Sequence, residues 1–167
     1  AVVAGAWFLT REVELSTTRA CLVSLEKSAA LEDVVRWYLP ASKTDPEACG
    51  VSRAHGCCCT SGARTSCPYH AIESQLQRLK RLFPGRWVGG VPSQDLPLFP
   101  AADGSVVSKE KMTDTIVEAA RRLGVQVVAL DGSARVSGHS LRATGAQGLA
   151  RAGVDVWAIQ LLGRWGS

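Results

Sequence analysis

Gly138-His139-Ser140-Leu141-Arg142 opens the stretch that decides the fold of this chain. From here to Gly153 there is no proline, and the spacing predicts a helix beginning at Ser137 or Gly138 and ending near Gly153. On that helix His139 and Arg142 are three apart and share a face. Leu141, Gly145, Gly148, Leu149 and Ala152 fall on another face, at core spacing. Glycines inside a helix cost stability, which makes sense where another backbone packs very close. A helix N-terminus offers unpaired N–H groups and the positive end of the helix dipole, so a His/Arg pair there suits a phosphate. The plainer reading is a solvent-exposed His and Arg at a helix start.

Downstream, Asp155 caps a last short helix that Gly163 closes. Upstream, Ser108 caps a helix through Leu123, stopped by Gly124. Phe83–Pro100 holds four prolines and three glycines and reads as a long irregular connection. Pro68 opens a helix to about Leu82, with Ile72, Leu76, Leu79 and Phe83 on one stripe. Three extended pieces precede it: Arg19–Leu25, Asp33–Leu39 and a weaker one near Val51–Cys57, separated by a turn over 41–50. The Ala-rich opening, Ala1 to about Thr17, reads as one helix. The fold class expected is mainly α with a small antiparallel β-sheet.

Composition bounds the function. The chain has 167 residues, room for one domain, and is 46% hydrophobic and 20% charged, which excludes disordered and fibrous classes. No apolar run approaches the roughly 18 residues a membrane helix needs, so no membrane partner is expected. Nineteen basic against 15 acidic residues give +4, a balance that permits nucleic acid without demanding it. Five of six cysteines crowd into 49–67 and three are consecutive, which suits a metal site or reduced thiols better than crosslinks. Trp157 and Trp165 read as core; Trp7, Trp37 and Trp87 as core or surface anchors.

Further boxes stand in order along the chain. Thr10-Arg11-Glu12-Val13-Glu14-Leu15 lies in the opening helix, Ser42-Lys43-Thr44-Asp45 in the hairpin turn, and Leu161-Leu162-Gly163-Arg164-Trp165-Gly166-Ser167 at the end. Together with His139 and Arg142 they resemble the catalytic domain of the tyrosine recombinases, or phage-type integrases, most closely the diverged forms of eukaryotic mobile elements. That family has Arg-x-x-Glu-Leu, matched by Arg11, Glu14 and Leu15; a lysine on a hairpin turn, matched by Lys43; His-x-x-Arg, matched by His139 and Arg142; and Leu-Gly followed by His or Trp. The resemblance spans Arg11 to Ser167. Here Arg164 follows Leu162-Gly163, with Trp165 next, so either fills the third active-site position. The family's nucleophilic tyrosine comes several residues later, and Tyr38 and Tyr69 do not match its place. The start at Ala1 and the stop at Ser167 are expected of a fragment, with residues 1–167 an incomplete catalytic domain and 49–70 a Cys-rich insertion within it.

The resemblance implies DNA recombination or integration by strand cleavage and rejoining through a phosphotyrosine, with double-stranded DNA as partner, self-association on DNA and an intracellular place, nuclear if the source is eukaryotic. Such chemistry builds negative charge on phosphoryl oxygens, which two guanidiniums clamp while staying charged. Arg11 and Arg142 are the expected clamp, His139 the proton-exchanging helper, and Lys43 the donor to the leaving 5′-oxygen. No metal is required for that step. Glu14 reads as a structural partner of Arg11, and the two also read as a plain ion pair across one turn. Separately, Cys57, Cys59, Cys67 and His70 offer four zinc-type donors, with Cys49, His55 and Cys58 as spares, for a structural zinc. Two other functions fit the same residues: a catalytically inactive DNA-binding remnant, and a zinc-stabilised interaction module.

Overall fold

A computed structural model describes residues 1–30, 32–40, 50–59 and 64–165. In chain order they form α1 (Val2–Trp7), α2 (Glu12–Thr17), β1 (Val23–Lys27), β2 (Asp33–Leu39) and β3 (Val51–Gly56). There follow α3 (Pro68–Leu82), β4 (Trp87–Val88), β5 (Val91–Pro92), α4 (Lys109–Arg122), α5 (Ser140–Arg151) and α6 (Val156–Gly163). The described residues are thus mixed α/β, with six helices and a small antiparallel sheet, in line with the fold class expected. The chain falls into two compact units, residues 18–106 and residues 1–17 with 107–165. No helix is long and apolar enough to cross a membrane among the described residues.

In residues 18–106, β2 is the middle strand of the order β1-β2-β3. Val35, Trp37 and Leu39 are buried while Arg36 and Tyr38 face outward, the period of two that a one-sided sheet requires. Trp37 lies opposite Val23 on one side and Arg53 on the other. Its buried indole N–H donates to Thr18 Oγ1 at 3.0 Å, and its ring tilts against Phe99 at 6.5 Å. α3 spans the range the sequence predicts and packs Ile72 and Leu79 inward; Leu76 and Phe83 are half-buried.

Two expectations need correction here. β1 begins at Val23, not Arg19, because a 3₁₀ turn at Ala20–Leu22 intervenes and the Ala20 N–H is drawn to the Leu96 carbonyl at 2.9 Å. The stretch 83–100 is not wholly irregular. It holds the β4–β5 hairpin, whose two-residue turn Gly89-Gly90 has φ of 58° and 85°, values a primed turn needs and glycine supplies. The turn carrying Lys43, and Cys49 with it, lies outside the described residues.

In the other unit, the single opening helix is in fact two. Phe8, Leu9 and Thr10 are all buried, yet consecutive residues of one helix would fan across about 200° of its circumference. The chain resolves this by breaking: Leu9 takes φ 49° and the Thr10 N–H returns to the Gly5 carbonyl at 3.0 Å. α5 starts at Ser140, later than expected, because Ser137 and Ser140 bond to each other first, the Ser137 N–H donating to Ser140 Oγ at 2.9 Å. Ser108 caps α4 by accepting from the Lys111 N–H at 3.2 Å, as its position predicts.

The close backbone approach inferred from the α5 glycines is real at one of them. A Cβ on Gly145 would stand 1.9 Å from the Ala6 carbonyl oxygen of α1, whereas one on Gly148 would meet nothing within 4 Å. Gly148 and Ala152 are exposed, so the predicted core face of α5 is buried only over its first half. Trp157 is 63% exposed and is not core. Gly145→Ala should therefore cost about 3 kcal/mol or more through overpacking of α1 on α5. Gly148→Ala should gain about 0.5–1 kcal/mol from helix propensity. Urea unfolding of the two variants beside the parent measures both signs.

Candidate functional site

Glu14 is the centre of a cluster of basic side chains drawn from separate elements. Arg11 sits just before α2 and its backbone N–H donates to Glu14 Oε2 at 2.7 Å, the reciprocal half of a capping box. The Arg11 guanidinium lies 3.4 Å from Glu14 Oε1. The Arg-x-x-Glu spacing thus has a local cause: the acid three residues on satisfies an orphan N–H and holds the side chain of the residue it caps. The plain ion pair read from sequence is present, and it is not alone, because the Arg164 guanidinium donates to the same Oε1 from the end of α6.

Arg164 reaches that carboxylate from an unusual backbone. It occupies the left-handed region at φ 53°, just past α6, where glycine is the ordinary choice. The motif closes with the Trp165 N–H on the Gln160 carbonyl at 3.1 Å and the Arg164 N–H on Leu161 at 3.2 Å. A side chain there costs about 1 kcal/mol or more, so its retention points to the guanidinium itself. Gly163 makes room for the next residue: a Cβ on it would lie 2.6 Å from the Trp165 ring. The folded-back indole stands over Arg142, whose guanidinium carbon is 5.0 Å from the ring centroid. Such a cation–π contact is worth about 0.5–2 kcal/mol.

Arg142, in the first turn of α5, is 8% exposed. Burial lowers its pKa from the ordinary value; Glu14 opposes this, while Arg11 and Arg164 add to it. It stays charged at any working pH, since a guanidinium starts so far above neutrality. The Nε atoms of Arg11 and Arg142 are buried and without a hydrogen-bond partner among the described residues. His139 differs: its side chain is 69% exposed, and it precedes α5 rather than sharing a helical face with Arg142. The solvent-exposed reading holds for His139 and fails for Arg142. Arg164 and Trp165, the two candidates for the third position, both join the cluster.

Beside it stands a second carboxylate that the sequence did not single out. Glu12, buried at the start of α2, lies 4.0 Å from His139 Nδ1 and 3.5 Å from Lys109 Nζ of α4. Gly138 is required there, because a Cβ would fall 2.3 Å from the Glu12 carboxyl carbon. Three permanent cations (Arg11, Lys109, Arg164) thus pair with two carboxylates while a fourth, Arg142, lies buried nearby, an excess that favours an anion. The only sequence-level signal for Glu12 and Lys109 would have been acidic and basic residues in the first turns of two helices.

In residues 18–106, Cys57, Cys59, Cys67 and His70 gather with their donor atoms all within 4.8 Å of one another, a set that can hold a metal ion. Burial alone would push the Cys67 thiol up, but N–H donors from His70 and Cys58 and the His70 ring outweigh it and bring it down to about 6. Burial and the neighbouring sulfurs push Cys59 up to about 12. Of the spare donors, Cys58 is exposed and His55 lies within β3 opposite Val35.

Comparison with models of known protein families gives no match, and comparison with curated protein sequences gives none either.

Glu14→Ala should destabilise the chain by about 2–4 kcal/mol, because it removes a cap and leaves crowded guanidiniums uncompensated. Glu14→Gln, which keeps an acceptor for the Arg11 N–H, should cost less. Denaturant midpoints at constant slope decide the order.

Proposed function

We propose that the arginine cluster is the phosphate clamp of a DNA strand-cutting and rejoining enzyme of the tyrosine recombinase type. The observation that carries this reading is the gathering of Arg11, Arg142 and Arg164, from the ends of three separate helices, around Glu14: Arg11 and Arg164 pair with its carboxylate, and the buried Arg142 lies within electrostatic reach of all three. A structural ion pair needs one guanidinium for one carboxylate; three, with two Nε atoms left unpartnered, fit a second anion. The mixed architecture of six helices with a small three-stranded antiparallel sheet and a β-hairpin among the described residues is compatible with the same reading.

In the proposed chemistry, Arg11 and Arg142 bind the non-bridging oxygens of the scissile phosphate and stabilise the charge that builds on them. Arg164 adds to that field and holds Glu14. His139, exposed beside the clamp, exchanges protons on the nucleophile side. Lys43, outside the described residues, protonates the leaving 5′-oxygen as a tyrosine oxygen forms the new bond to phosphorus. The partner is double-stranded DNA, with self-association on it. The metal assigned to the Cys57/Cys59/Cys67/His70 group is zinc, in a structural role outside this chemistry.

Arg11→Ala and Arg142→Ala should each weaken binding to unrelated duplexes to a similar degree and lower the slope of log K against log salt by about 1. Binding equal to the parent at several salt concentrations would remove the clamp. The chain's two tyrosines, Tyr38 on the outer face of β2 and Tyr69 in the first turn of α3, do not match the nucleophile's place. A nicked suicide substrate should therefore leave no covalent adduct with the 167-residue chain on a denaturing gel. An adduct that disappears in Tyr38→Phe or Tyr69→Phe would assign the nucleophile to that residue.

A further inference from the structure

Strand-cleavage chemistry makes no use of the cysteine–histidine group, and the geometry of that group is specific. Cys57 Sγ and Cys67 Sγ are 3.8 Å apart. His70 Nδ1 is 3.3 Å from Cys59 Sγ, 3.3 Å from Cys67 Sγ and 3.7 Å from Cys57 Sγ. A tetrahedron with Zn–S near 2.3 Å and Zn–N near 2.0–2.1 Å has edges of about 3.8 Å between sulfurs and about 3.6 Å between sulfur and nitrogen. A disulfide would bring two sulfurs to about 2.05 Å, far inside the 3.8 Å between Cys57 Sγ and Cys67 Sγ.

We infer that Cys57, Cys59, Cys67 and His70 form a closed Zn²⁺ site that clasps the end of β3 to the first turn of α3, and that the folding of residues 18–106 depends on this metal. Three thiolates and an imidazole are soft to borderline donors, which select Zn²⁺ over the oxygen-seeking Mg²⁺ and Ca²⁺. Four protein ligands fill the tetrahedron, so no position is open for water or substrate and the site is structural.

The local chain is built for it. The Cys57 N–H extends the sheet by donating to the Asp33 carbonyl at 2.7 Å. The next residues alternate, turning Cys57 and Cys59 inward and leaving Cys58 exposed. Cys67 occupies the N-cap of α3, wholly buried, yet its side chain makes no capping hydrogen bond. Ser, Asp or Asn would cap there, so the thiol serves another purpose. His70 follows three residues on, over the same helical face.

The unfolded chain has no such tetrad, so the free energy of metal binding is free energy of folding. α3 supplies Ile72 and Leu79 to the core, and the clasp fixes its first turn at the sheet. This inference stands whatever becomes of the DNA reading.

The test uses the full chain purified without chelator. Metal analysis should find about one zinc per chain, and Co²⁺ exchanged into the site should give the visible absorption of a tetrahedral thiolate complex. Cys57→Ser, Cys67→Ser and His70→Ala should each drop the zinc content below about one tenth, while Cys58→Ser and Cys21→Ser keep it. Should the ligand variants fail to fold, the parent chain decides. Stripping its metal should abolish the dispersed Trp37 indole resonance, and one equivalent of Zn²⁺ should restore it. Folded parent protein that holds no metal and takes up no Co²⁺ overturns the inference. So does zinc lost in Cys58→Ser but kept in Cys57→Ser.

Discussion

Glu14 is the constraint on which the helical unit depends. Its carboxylate does three things at once: it accepts the Arg11 N–H at the start of α2, pairs the Arg11 guanidinium, and receives Arg164 from the end of α6. Elements far apart in sequence are thereby tied to one charged group. The arrangement is affordable only because the charges are matched nearby; a buried guanidinium without such a partner costs several kcal/mol. Arg142 is the extreme member, buried in the first turn of α5, with Trp165 over its guanidinium and the charge of the same carboxylate within reach. The excess of positive charge left over is the property that gives the cluster a chemical use.

Backbone geometry cooperates with that charge. Arg164 holds a left-handed conformation that glycine would adopt without cost, and Gly163 before it has no side chain, so that the indole can fold back. The order Gly-Arg-Trp therefore carries three separate demands: space, a guanidinium in a turn, and a ring over Arg142. Gly138 plays the matching part for Glu12 at the start of α5, and Gly145 lets the α1 backbone come into contact. Each of these three glycines sits where a Cβ would displace an aromatic ring, a carboxylate or a carbonyl.

The sheet unit rests on different physics. Its apolar core is small: one face of β2, Ala20 and Val23 before it, Cys67 with Pro68, Ile72 and Leu79 of α3, and Leu96, Leu98 and Phe99 from the connection that follows. Small cores are commonly supplemented by a crosslink or a metal. The cysteine–histidine group stands where such a supplement has most effect, at the junction of the last strand and the helix that covers the sheet.

Much of this was legible in the residues. The alternation of Val35, Trp37 and Leu39 marks β2, Pro68 marks the start of α3, and Ser108 and Gly124 bracket α4, because each acts through local sterics or hydrogen bonding. The spacing of Cys57, Cys59, Cys67 and His70 likewise named a donor set before any fold was known. The break at Leu9 was not legible, since a run of helix formers bends only when three consecutive side chains must all be buried. Nor was the difference between Gly145 and Gly148, which are identical residues on one helix face and are distinguished only by where α1 crosses. The sequence by itself determined which residues carry charge and which segments coil or extend, because those follow from neighbours along the chain. Only the tertiary structure decided that Arg11 and Arg164 share one carboxylate with Arg142 buried nearby, because Coulomb attraction depends on distance through space and the chain separates Arg11 from Arg164 by most of its length.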